Sequence, residues 1–141
     1  MEVTNEQPTF KRAGVPLLAL SLPLLLWPVE LWLPYPALIE ETTKLGIVWL
    51  VVRTNTRGAQ AKMILLCGGL LAASEAFLYL INAAQYGNLA VFWWRLVLTG
   101  SMHLISLFVL WWGVRERLGW AGWATAVLWH WSFNQLAAGW G

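Results

Sequence analysis

Glu40 and Glu41 stand side by side, and Lys44 follows three residues later at the head of the apolar run Leu45–Val52. On a helix Glu40 and Lys44 are i,i+4 neighbours, Glu41 and Lys44 are i,i+3, and Glu41 points about 100° away from Glu40. An ionisable residue inside a membrane segment costs about 2.5–3.5 kcal/mol on insertion scales, so three within five residues call for an explanation. The plain explanation is an interfacial cap, with acids near a helix N-terminus and a lysine that snorkels to the headgroups. The chemical one is a carboxylate base. Glu75, Tyr79 and Asn82 recur at i, i+4 and i+7, Thr99, His103 and Ser106 share a second face, and His130 and Asn134 stack at i,i+4. Carboxylates can serve as general bases, and histidines and an amide as proton or oxyanion donors. Together they suit water activation and acyl hydrolysis. Ser74, Ser101, Ser106 and Ser132 lack a nucleophile signature such as G-x-S-x-G, and there is no H-E-x-x-H. Cys67, the lone cysteine, excludes an intramolecular disulfide and a cysteine metal cluster, and it falls in the inner half, away from the histidines.

These residues must be carried by membrane helices. The chain of 141 residues is 59% hydrophobic and 11% charged, against about 25% charged for a soluble domain. An all-α, polytopic membrane helix bundle is therefore expected, in a lipid bilayer, with no nucleic-acid partner. Residues 1–12 read as a polar cytoplasmic tail and 13–141 as a single transmembrane domain. Ala13–Leu33 is long enough to span, since about 20 apolar residues suffice, and too long for a signal-peptide core. Pro34-Tyr35-Pro36 makes a reversal, and further spans are expected over about 36–52, 63–84, 92–113 and 119–139, giving about five. Glu30, near the far end of the first, reads as interfacial rather than functional. Lys11, Arg12, Arg53, Arg57, Lys62, Arg115 and Arg117 all fall on the N-terminal side, and only Arg95 lies near the other. The positive-inside rule then makes the N-terminus cytoplasmic. At 1.5 Å per residue, Glu40 and Glu41 lie about 6 Å deep, Asn134 about 7 Å, and Glu75, His103 and His130 roughly 13–15 Å, all from the outer side. Singly, each has a structural explanation: a neutral acid, or a histidine bonding a neighbouring helix. One shared layer is better explained by one water-filled site.

In order along the chain, Glu40-Glu41-Thr42-Thr43-Lys44, the Gly69–Tyr79 segment with Glu75, His103 after Arg95, and His130-Trp131-Ser132-Phe133-Asn134 resemble the motifs of the PrsW-type intramembrane proteases. These are relatives of the CAAX prenyl proteases and the bacteriocin-immunity (Abi) proteins. The resemblance runs from about residue 34 to 136. It departs at Leu71, where phenylalanine is usual, at Ser74-Glu75-Ala76, which lacks a following asparagine, and in the small number of spans. It implies an intramembrane endopeptidase of a prokaryotic plasma membrane that cuts a membrane-anchored protein or peptide by glutamate-activated water. Glu40 would be the base, Glu41 would hold the local network, and Lys44 would counter their charge. Glu75 and His103 would orient water or shuttle protons, and His130 and Asn134 would donate to the oxyanion, with Tyr79 and Arg95 in support. The resemblance points to catalysis without a metal. The alternative is a zinc site of Glu75, His103 and His130, matching in type two histidines and a glutamate with an open position for water. A proton-coupled transporter and a non-enzymatic membrane subunit are the other classes, though the inner half offers a transporter no polar relay beyond Thr54, Ser106 and loop charges.

Overall fold

The computed structural model describes residues 9–86 and 89–138, and the described residues form five α-helices and no strand. These are α1 (Thr9–Glu30), α2 (Pro36–Thr54), α3 (Arg57–Tyr86), α4 (Leu89–Arg115) and α5 (Gly119–Ala138). Three stretches, Ala13–Glu30, Arg57–Ile81 and Phe92–Arg115, are long and apolar enough to cross a membrane. The chain is thus an all-α membrane helix bundle. α2 falls short because Glu40, Glu41, Lys44 and Arg53 interrupt it. In α5, four tryptophans with His130, Asn134 and Gln135 lower the hydropathy.

α1 runs through Pro16, Pro23 and Pro28 without a break. Its buried residues Val15, Ala19, Leu22 and Leu26 form one stripe at helical spacing, while Leu17, Leu20, Leu24 and Leu25 are exposed, as lipid-facing residues should be. It ends three residues short of the expected Leu33, and it begins inside the expected tail, at Thr9. Pro36 opens α2 at a position where its missing N–H costs nothing, and the Tyr35 carbonyl accepts the first bonds, from the amides of Leu38 and Ile39. At its other end Asn55 caps α2, its backbone and side-chain nitrogens both donating to the Val51 carbonyl. α3 starts in the expected basic loop, at Arg57, because the Thr56 carbonyl accepts from Ala59 and Gln60 and sets the first turn.

α2 touches every other helix; α1 and α4 flank α3, and α5 lies against α2 and α4. Its inward stripe is Ala37, Glu41, Lys44, Val48 and Val51, so a carboxylate and an ammonium occupy core positions on the central rod. Below them, toward the N-terminal side, Ile47, Val48, Val51, Ile64, Cys67, Leu71, Leu107 and Leu110 make the dry core. Cys67 is fully buried there. Close approach of α4 and α5 rests on glycine: a Cβ on Gly113 would lie 2.9 Å from the Gly122 Cα, and one on Gly122 would lie 3.0 Å from the Gly113 Cα.

Candidate active site

The site is built outward from Lys44. This residue is fully buried, which an ammonium tolerates only when paired. Its Nζ donates to Glu41 Oε1 at 2.6 Å and lies 3.4 Å from Glu40 Oε2, as i,i+3 and i,i+4 neighbours on one helix should. The same Glu41 Oε1 is 2.8 Å from His130 Nδ1 on α5, so one oxygen ties the central helix to its neighbour. Trp123 Nε1, two turns earlier on α5, donates to Thr42 Oγ1 at 3.1 Å and fixes the same crossing. His130 Nε2 then faces Glu40 Oε1 at 4.0 Å. That separation is too long for a direct hydrogen bond and short enough for one water, about 2.8 Å from each atom, to touch both.

On the other side of Glu40, α3 and α4 contribute a second acid–imidazole pair, in which His103 Nε2 contacts Glu75 Oε2. The rings of His103 and His130 meet edge to face, with centroids 6.3 Å apart, so the two pairs form one assembly across four helices. Glu41, His103 and His130 are buried, whereas Glu40 and Glu75 are each 17% exposed at the side chain and reach the surface of a cavity. Glu41 Oε2 and His103 Nδ1 are buried without a hydrogen-bond partner among the described residues. Burying such atoms unpaired is costly.

The cavity holds about 710 Å³. Glu40, Glu75, His130 and Asn134 line it together with the apolar residues Leu98, Met102, Phe133 and Ala137. A smaller cavity of about 120 Å³ adjoins, also lined by Glu40, Glu75 and Tyr79. The arrangement can place a water between a carboxylate and an imidazole, beside a space that takes an apolar chain.

Glu40, Glu41, Lys44, Glu75, His103 and His130 are therefore brought together, with Tyr79 and Asn134 at the cavity. The side chains of Arg95 and Asn82 lie outside the described residues. Among the described residues, the alternative zinc grouping of Glu75, His103 and His130 is not one whose ligand atoms lie together. Instead Glu40, Glu75 and His103 offer ligand atoms within 4.8 Å of one another. Glu30, expected at the interface, lines both cavities beside Glu40 and Glu75. Its signal was present in the sequence, as the one ionisable residue of the apolar run Ala13–Leu33. No protein-family model, curated protein or solved structure matches the chain. The motif resemblance thus stands on its residues alone.

Proposed function

We propose that the protein is an intramembrane endopeptidase that cuts a membrane-anchored protein or peptide with a glutamate-activated water. The observation that supports it is the convergence of Glu40, Glu75 and His130, from three helices, on one cavity that apolar side chains also line. In this reading all five helices cross the bilayer, α2 and α5 being carried by their neighbours. The N-terminus is cytoplasmic, and the membrane is a prokaryotic plasma membrane, as the resemblance implies. Water between Glu40 Oε1 and His130 Nε2 gives its proton to Glu40 as its oxygen attacks the scissile carbonyl carbon. Lys44 holds Oε2 and leaves Oε1 free for this task. The carbonyl oxygen takes the negative charge at the cavity, where Asn134 can donate to it, and His130 can do so when its ring carries both protons. Collapse then breaks the C–N bond as the proton passes to the leaving amine. Glu41 orients His130 through Nδ1, and Glu75 orients His103.

The decisive experiment compares cleaved membrane proteins in cells carrying the wild-type chain or Glu40→Gln, followed by turnover of the purified protein. Loss of a general base should reduce turnover by about 10²–10⁴-fold with the bundle intact. Retained turnover in purified Glu40→Gln would sink the assignment.

A second reading has one observation in its favour, the close grouping of Glu40, Glu75 and His103. Two carboxylates and an imidazole suit zinc or another first-row divalent ion, which would supply an acidic bound water. Stripping the detergent-purified protein with a chelator, with metal content checked by elemental analysis, separates the two. Activity lost on stripping and restored by one equivalent of zinc selects the metal reading.

A further inference from the structure

Glu30 is the last residue of α1, where aligned carbonyl dipoles already present negative charge. An acid is the least suitable ionisable residue for that position, and no basic residue occupies the last turn of the helix. The carboxylate is half-buried and lines both cavities, in each case with Glu40, Glu75 and Tyr79. It forms no ion pair with any described residue. The nearest lysine of the site is already committed: Lys44 is sealed from solvent and bonded to Glu41, with Glu40 beside it. The described part of the mouth therefore holds a helix C-terminus and a carboxylate with no cation of its own, close to the proposed base.

We propose that Glu30 is the specificity residue of this site, receiving a cationic group of the substrate, a lysine or arginine side chain on the outer flank of a membrane-spanning segment. The apolar lining of Leu98, Met102, Phe133 and Ala137 takes the adjoining apolar residues of that segment. The choice is selective, because basic residues are scarce on the outer flanks of membrane proteins and concentrate on the cytoplasmic side. Pairing also removes the repulsion between Glu30 and Glu40 when substrate enters, so the cation is rewarded at the place where it counts. The inference rests on the hydrolase reading for its substrate, and binding tests it separately from turnover.

The probes are three biotinylated single-span peptides, identical except for Lys, Gln or Glu at one outer-flank position. Their affinities are measured on Glu40→Gln protein in nanodiscs, with and without a second change at position 30, and their cleavage is measured on protein with Glu40 intact. The lysine peptide should bind about tenfold tighter than the glutamine peptide, a difference of about 1.4 kcal/mol. Glu30→Gln should remove that difference, and Glu30→Lys should transfer the preference to the glutamate peptide. An unchanged lysine preference in Glu30→Gln, or no charge preference in its presence, overturns the proposal even if cleavage is seen. A Glu30-dependent preference with no cleavage of any peptide upholds the charge recognition and overturns the hydrolase reading instead. Failure of all three peptides to bind overturns both.

Discussion

Replacing Lys44 with methionine keeps most of the side-chain volume and removes only the charge. The Nζ lies 2.6 Å from Glu41 and 3.4 Å from Glu40. At an effective dielectric constant of 20 these separations correspond to about 6 and about 5 kcal/mol of attraction. Most of that offsets the cost of taking the ammonium and carboxylates out of water. The measurable quantity is the penalty for leaving a carboxylate buried without its partner, about 3–5 kcal/mol. The lower end is expected, because His130 Nδ1 touches the same oxygen at 2.8 Å and can donate to it when Lys44 is gone. Lys44→Met should therefore lower unfolding free energy in mixed micelles by about 3 kcal/mol. Lys44→Met with Glu41→Gln should recover at least half of the loss, since the orphaned charge is then removed too. Tryptophan fluorescence across a denaturant series reads both. A single variant that costs less than about 1 kcal/mol, the range of exposed pairs, would refute the buried-pair reasoning. Additive losses in the double variant would refute the coupling.

The remaining expectations follow from other parts of the bundle. Gly113→Leu should cost about 1–3 kcal/mol by overpacking, because its Cβ would meet the Gly122 backbone, whereas Gly46→Ala, with nothing within 4 Å, should be neutral or stabilising by up to about 1 kcal/mol. Denaturant midpoints compare the two, and equal effects would remove the α4–α5 crossing as a constraint. Arg117 holds φ 61° in the turn after α4, where Leu118 N donates to the Gly113 carbonyl at 2.8 Å, so Arg117→Gly should leave stability unchanged or raise it by about 1 kcal/mol. A clear loss there would show that the arginine side chain, not the turn, matters. In a Cys67→Ala background, Thr56→Cys should label from the cytoplasmic side and Trp32→Cys from the outside; reversed labelling would invert the site. Cleavage should survive Cys67→Ala with little change, since that thiol is fully buried in the dry core, and should be lost in His103→Ala. A strong defect in Cys67→Ala would contradict the placement of the reaction.

How much of this was legible beforehand depended on which physical quantity each residue's place requires. Helical period and rise give a face and a depth, and those suffice to put Glu40, Glu41, Glu75, His103, His130 and Asn134 in one layer. The inward position of Lys44 on α2 follows from the same period, since 37, 41, 44, 48 and 51 repeat at intervals of four and three. Period alone does not give the rotation of one helix against another, and pairing depends on that rotation. Glu41 and His130 are 89 residues apart, and no local rule joins them. Grouping by residue type therefore offered His130, in the alternative zinc site, as a ligand beside Glu75 and His103. In the folded chain Glu41 holds its Nδ1, and Glu40, one residue away in sequence but about 100° round the helix, takes the place beside Glu75. The place of Glu30 depends on where a helix ends. With the first span carried to Leu33 it is a residue near an exposed end. With α1 stopping at Glu30 and the turn to Pro36 folding α2 back against it, the same carboxylate faces Glu40 across the cavity walls. A helix end shorter by three residues thus brings this acid to the cavities that Glu40 and Glu75 line.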